Sequence, residues 1–237
     1  MKFILTILFI TSIIGTAHSA EKIPFRVCKI DKDFIPFINM KGTGIWQKKI
    51  KKAIKVLPLE LQFHDAPRRR CFLEAEQNSA TDAVVIGYRV NYLSYPMKNA
   101  TETDRDAGLG VVSLVVVVHK DSKIKWNGER FENLGDEIVG SQLGYLVNEK
   151  LDSMGVHNEE VPTAEKNIEK INKGRIEVAI MAREDFLLLK KKNHLKNVVA
   201  LPIPFQENDV YLGVSTPYYQ KNKKYVDAIW ANLKKNK

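Results

Sequence analysis

Asp65-Ala66-Pro67-Arg68-Arg69-Arg70-Cys71 opens the stretch that decides the fold; it continues to Asp82-Ala83-Val84-Val85-Ile86-Gly87-Tyr88-Arg89 and closes at Ser94-Tyr95-Pro96-Met97. Pro67 suits the first turn of a helix, where its missing amide donor costs nothing. The run after Asp82 is small and β-branched, and too short for a helix. The stretch therefore reads as helix, then buried strand, then an arginine just past the strand's carboxyl end. In open α/β sheets that edge is where ligands are usually held.

Working outward toward the N-terminus, Phe25-Arg26-Val27-Cys28-Lys29-Ile30-Asp31 alternates as a strand, and Leu59-Glu60-Leu61-Gln62-Phe63 as a second. Between them Phe34-Ile35-Pro36-Phe37 cannot continue a central strand, because Pro36 lacks a donor and restricts its neighbour. That loop either plugs the core or turns Phe34 or Phe37 toward a ligand. Gly42-Thr43-Gly44 precedes a helix over Trp46 to Leu57, apolar at Trp46, Ile50, Ala53, Ile54 and Leu57. Residues 25 to 89 thus spell strand, helix, strand, helix, strand, the pattern of a parallel sheet with helical crossovers.

Beyond a polar excursion at residues 98 to 107, Val111 to Val118 is a β-branched run bounded by Gly110 and His119, and reads as a buried strand. Lys125-Trp126-Asn127-Gly128 gives a turn, Glu137 to Tyr145 a strand ending in a Gly-containing turn, and a helix to about Met154 is closed by Gly155. Thr163 can cap a helix that Gly174 stops, and Ile176 to Met181 is one more short strand. Residues 120 to 205 repeat the alternation as a second α/β unit. Asp209 to Ser215 is then a strand returning to the first unit, followed by a helix with Val226, Ile229, Trp230 and Leu233 on one face.

The chain has 237 residues, 44% of them hydrophobic, enough to fill real cores. Its beginning differs in kind: Lys2 precedes an apolar run from Phe3 to Ile14, and Gly15-Thr16-Ala17-His18-Ser19 ends in small residues. Residues 1–19 read as a cleaved secretory signal, the alternative being an uncleaved anchor, and the protein is expected in the periplasm. Removing Lys2 from 37 basic residues against 28 acidic ones leaves a net charge of +8. The lysines nevertheless fall on solvated helix faces, so no nucleic-acid partner is expected. The cysteine count is two, and in an oxidising compartment that leaves one intramolecular pairing, Cys28 with Cys71, against the alternative of two buried thiols.

Catalytic signatures are missing from the sequence. The five histidines show no zinc-ligand spacing, and there is no nucleophile elbow, phosphate-binding loop or dinucleotide fingerprint. Neither an enzyme nor a cofactor or metal is expected.

The order of these pieces, with the motifs quoted, resembles the type 2 periplasmic solute-binding proteins, close to the family 3 (amino-acid-type) members. The resemblance implies an α/β fold of two lobes, the second inserted in the first and joined to it by two hinge strands, near residues 114 to 119 and 207 to 212. It divides the chain into 20–118 (first lobe), 119–207 (second lobe) and 208–237 (return strand and C-terminal helix). Asp31 and Phe34 match the acidic and aromatic positions that face the ligand after the first strand, with Phe37 in the same aromatic loop. Arg89 matches the arginine that pairs with the ligand carboxylate, a two-pronged contact that lysine cannot imitate; the alternative is an arginine in a surface ion pair. Gln142, Gly144 and Tyr145 match the turn that presents amide donors in the second lobe. Gly174-Arg175-Ile176-Glu177-Val178-Ala179 resembles the family's Gly-Arg-Val-Asp-Ala stretch. The acid that holds an α-amino group there would fall near Ala182, and alanine cannot pair with an ammonium. The implied function is an exported monomeric receptor that captures a small carboxylate-bearing or anionic solute for a membrane transporter. The alternative is an exported sensor of the same fold, signalling to a membrane kinase or cyclase.

Overall fold

The computed structural model describes residues 22–87, 89–143, 147–192 and 194–236. The expected signal therefore lies outside the described residues, as do Gly144 and Tyr145. Strand β1 (Ile23–Ile30) pairs in parallel with β2 (Leu59–Ala66) on one side and β3 (Ala83–Ile86) on the other. Helix α1 (Ile45–Ile54) makes the crossover from β1 to β2, and α2 (Arg68–Glu76) the one from β2 to β3. Pro67 sits at the N-cap of α2 rather than inside its first turn, with extended ψ of 141°. β3 takes up the start of the small, β-branched run after Asp82, and Arg89 lies past its carboxyl end as expected. A two-residue strand, β4 (Leu93–Ser94), follows.

Strand β5 (Gly110–His119) is the apolar run, and its alternation is visible in what each side meets. Val115 and Val117 pack with Ile168, Ile171, Met181 and Phe186 on one face of the sheet. Leu114, Val116 and Val118 join the larger core, with Trp126, Leu151 and Phe205, on the other. The Lys125–Gly128 turn belongs to a small hairpin, β6 (Lys125–Trp126) and β7 (Phe131–Glu132). After it come β8 (Val139–Gln142), α3 (Asn148–Ser153), β9 (Asn158–Val161), α4 (Ala164–Asn172), β10 (Val178–Ala182) and α5 (Arg183–Lys191). Thr163 caps α4 by accepting from the Lys166 amide, and Gly174 beyond its end takes φ of +62°, which a side chain would strain.

The long strand β11 (Val198–Ser215) and helix α6 (Thr216–Lys235) complete the chain. Among the described residues the strands form one nine-stranded sheet in the order β2-β1-β3-β11-β5-β10-β8-β9, with β4 attached to β11. Strand β11 is antiparallel both to β3, through Tyr211–Val214, and to β5, from Val198 to Val210. Strand β10 pairs with β5 only at Leu114–Val118. Residues 110–113 and 207–210, paired only with each other, form the two-stranded ribbon that crosses between the lobes. The first crossing thus precedes the expected 114–119, because those residues are already taken up by β10. The fold is two-lobed, with the second lobe inserted in the first.

Candidate functional site

The carboxyl ends of β1, β3, β8 and β10 all approach the crossing ribbon, so the loops that follow them face one another across it. Gly87, just past β3, has Asn208 and Val210 of β11 as its nearest neighbours, which places the Arg89 segment beside the crossing.

On the first lobe, the 31–44 loop folds back onto the start of α1. Phe37 stacks on the buried Trp46, with ring centroids 4.3 Å apart and planes within 10°, and Phe34 lies 5.9 Å from the same indole. Both phenylalanines are half-buried. They pack against the core and anchor the loop to it, each remaining partly exposed. The close approach needs Gly44: a Cβ there would meet the Phe37 carbonyl oxygen at 2.2 Å. Asp31 is exposed just beyond β1, its amide donating to the Ala66 carbonyl at 3.2 Å. Behind it Lys29 is buried and paired with Asp65. Arg89 is exposed, and one of its Nη atoms donates to the Thr101 carbonyl at 2.7 Å. This is a backbone contact, and Arg89 forms no ion pair among the described residues, so its other guanidinium donors carry no charge partner there.

On the second lobe, Gln142 ends β8 half-buried, and its Oε1 has no hydrogen-bond partner among the described residues. Ala182 is wholly buried opposite Leu114, so it presents nothing polar to the cleft. The two residues after it carry the charge instead. Arg183 reaches back to the crossing and donates from Nη2 to Ser113 Oγ at 3.1 Å. Glu184 is half-buried in the first turn of α5; burial pushes its carboxyl above the ordinary range, and its Oε2 is buried without a partner among the described residues. Asn148 Oδ1, at the start of α3, is likewise unpartnered. In the sequence by itself Glu184 is simply an acid after the Ile176–Met181 strand, of the kind that helix starts carry to suit the dipole. Its desolvation could not be seen there, because it depends on which distant segments surround it.

Glu184 has a consequence for stability. Its folded-state pKa lies above the unfolded value, so between the two the folded protein holds a proton that the unfolded chain has released. Stability therefore falls as pH rises through that window, and the full cost of the buried charge is present above it. Glu184→Gln should raise the melting temperature at neutral pH by about 1–3 °C and flatten its pH dependence. Thermal melts from about pH 4 to pH 8 check this; an unchanged profile would show that the carboxyl is solvated.

Two surface hollows lie apart from the cleft. One of about 430 Å³ runs along α4 past Lys166 and Lys170, and one of about 560 Å³ lies near His119 and Glu177. Ligand-type atoms of Cys28, His64 and Glu74 lie within 4.8 Å of one another, but the sulfur is committed to a disulfide and Glu74 accepts from Arg70 at 2.7 Å and Thr81 at 2.9 Å. Burial alone would raise the Glu74 carboxyl, yet these bonds and that of His64 outweigh it and hold it below its usual range. The cluster fastens α2 to β2 and β3.

No protein-family model and no curated protein sequence matches the chain. Solved structures do. GshT of Streptococcus mutans, from a study of glutathione import with the cystine ABC importer TcyBC, aligns at 17% identity over 91% of this chain and 90% of its own, with a TM-score of 0.70. A histidine kinase sensor domain with similarity to periplasmic binding proteins aligns at 15% identity over 90% of both chains, with a TM-score of 0.69. An arginine-bound ArgBP from T. maritima aligns at 16% identity over 90% of this chain and 96% of its own, with a TM-score of 0.66. Likeness at that identity is likeness of fold, and together with the inserted second lobe and the two crossing strands it shows that this chain has the type 2 periplasmic-binding-protein fold.

Proposed function

We propose that the protein is an exported solute receptor that closes its two lobes on a small zwitterionic or carboxylate-bearing molecule and delivers it to a membrane transporter. The observation that carries this reading is the opposition of charges across the ribbon. Arg89 follows β3 on the first lobe, while on the second Gln142 ends β8 and Glu184, whose Oε2 is buried without a partner among the described residues, follows β10. A guanidinium with donors to spare suits a carboxylate. A buried carboxylate oxygen without a donor is costly and is relieved by a ligand nitrogen that donates to it. Glu184 thereby takes up the part that Ala182 cannot play, and a ligand with an amino group at some distance from its carboxylate fits both walls. Phe34 and Phe37 supply apolar surface between the polar ends. The chemistry is binding, with no step that makes or breaks a covalent bond.

A thermal-shift screen of small anions, amino acids and polyamines tests the reading. With any solute that raises the melting temperature, Arg89→Ala should weaken binding about ten- to hundredfold, the scale of one charge-assisted hydrogen bond. Arg89→Lys should lose affinity too, because the fork goes with the guanidinium. Unchanged affinity in both variants, measured by calorimetry, would remove Arg89 from the site. The second reading, a sensor that signals to a membrane kinase or cyclase, is favoured by the likeness to the histidine kinase sensor domain. A permease gene beside this one supports transport, and a kinase or cyclase gene supports sensing.

A further inference from the structure

Helices α1 and α6 lie side by side over one face of the first lobe's sheet, tied by the Asn232 side chain, which donates to the Ala53 carbonyl at 2.8 Å. Together they carry nine lysines, one aspartate and no arginine. Four of the nine are engaged: Lys49 with the Leu109 carbonyl, Lys51 with that of Gly42, Lys223 with Asp227, and Lys234 with Asp104. Lys48 and Lys52 on α1, Lys55 at its C-cap, and Lys221, Lys224 and Lys235 on α6 are exposed, with no ion-pair partner among the described residues. On α1 the buried positions Trp46, Ile50, Ala53 and Ile54 turn inward, so Lys48, Lys52 and Lys55 must point outward. On α6, Val226, Ile229, Trp230 and Leu233 do the same for Lys224 and Lys235. Read separately, each helix has an ordinary solvated face; the packing joins them into one surface on which lysines outnumber a single aspartate, Asp227, already paired with Lys223.

We propose that the outer face of α1 and α6, through Lys48, Lys52, Lys55, Lys221, Lys224 and Lys235, rests on an anionic phospholipid surface. Three features favour lipid over an acidic protein. The cations are all lysines, point charges suited to a diffuse field, whereas arginine is the residue of choice for fixed two-pronged pairing. Ile45 and Val56 at the two ends of α1 are 45% and 78% exposed and set apolar groups beside the lysines, as at a membrane interface. The face is built from two convex helices, and neither of the hollows described above opens on it. The cleft lies at the strand ends rather than over the sheet face, so a protein held this way keeps its cleft open. Each lysine near an anionic surface adds to the attraction, which falls off within a Debye length.

The test is cosedimentation of the protein, as the cell processes it, with vesicles of phosphatidylcholine alone or mixed with phosphatidylglycerol. Binding is expected to the mixed vesicles only, and to disappear at high salt. The variant Lys48→Glu/Lys52→Glu/Lys224→Glu/Lys235→Glu should bind them about a hundredfold more weakly. A control with the same change in net charge on the second lobe, Lys173→Glu/Lys190→Glu/Lys191→Glu/Lys196→Glu, should stay within about threefold. If the reversed α1/α6 variant does not fold, the corresponding Lys→Gln set takes its place, with the Lys→Gln set at the control positions beside it. Equal losses in the two sets would show that net charge alone acts, and no preference for phosphatidylglycerol would overturn the proposal.

Discussion

Asp82→Ala should destabilise the protein by about 2 to 4 kcal/mol, the cost of removing a buried carboxylate that accepts several hydrogen bonds within a half-buried ion pair. Asp82 is 2% exposed and stands just before β3. Its Oδ2 accepts from the Arg26 amide at 2.7 Å and from Arg26 Nε at 2.9 Å, and its Oδ1 accepts from Arg26 Nη2 at 2.6 Å. Its backbone serves the same junction: the Asp82 amide donates to the Arg26 carbonyl at 2.9 Å, and the Asp82 carbonyl accepts from the Ser215 amide at 2.8 Å. One residue thereby fixes where β1, β3 and the end of β11 meet, which is the frame that carries both the Arg89 segment and the crossing. The alanine removes every side-chain acceptor at once and leaves the Arg26 amide, in the middle of a core strand, without its bond. Arg26→Ala leaves the carboxylate in place but strips its cation, so the two single losses should exceed that of the double variant when summed. Denaturant unfolding of the three variants checks this. A loss below about 1 kcal/mol for Asp82→Ala would mean that the strand junction is held by packing alone.

Removing the Cys28–Cys71 bridge should cost nearly as much. The pairing expected from export and the count of two is present, joining β1 to α2 across a sequence separation of 43 with Cα atoms 5.5 Å apart. Closing a loop of that length restricts the unfolded chain by about 4 kcal/mol in the entropic account, and measured effects of about 2 to 4 are usual. Cys28 and Cys71 lie buried with Ala66, Ala75, Val84 and Ile86, so Cys28→Ser/Cys71→Ser would also place two hydroxyls in an apolar cluster. Cys28→Ala/Cys71→Ala separates the two effects, and its denaturation midpoint should fall to that of the reduced wild type. Two titratable thiols in unfolded, unreduced protein would sink the prediction, because the bridge would then be absent in solution.

How much of this was legible in the sequence depends on how local each feature's cause is. The Val111–Val118 run, the apolar stripe of α1 and the Thr163 cap with Gly174 beyond its helix rest on propensity, periodicity and backbone freedom within a few residues, and all of them stand in the structure. The order of those pieces was enough for two α/β units, and their resemblance to the type 2 periplasmic solute-binding proteins added the two-lobed arrangement. The ends of strands were not legible, because a strand stops where its partners stop. β3 ends at Ile86, where its pairing with β11 stops, although the β-like composition runs on. β11 starts at Val198, well before the expected Asp209, and accommodates Pro204 at a shift in register that no single-sequence rule foretells. β9, with the sequence Asn-Glu-Glu-Val, was missed because an acidic, solvated edge strand has no apolar pattern to announce it.

The candidate site divides the same way. That an arginine follows β3 and that β8 ends on Gln142 was set by the sequence itself. That Arg89 leans on Thr101, that Phe37 stacks on Trp46, and that Glu184 is desolvated with its Oε2 unpartnered among the described residues were decided only by tertiary structure. The physical reason is that local sequence determines which groups a segment carries and which way they alternate. The dielectric around a charge and the partners within its reach are set by residues tens or hundreds of positions away in the chain.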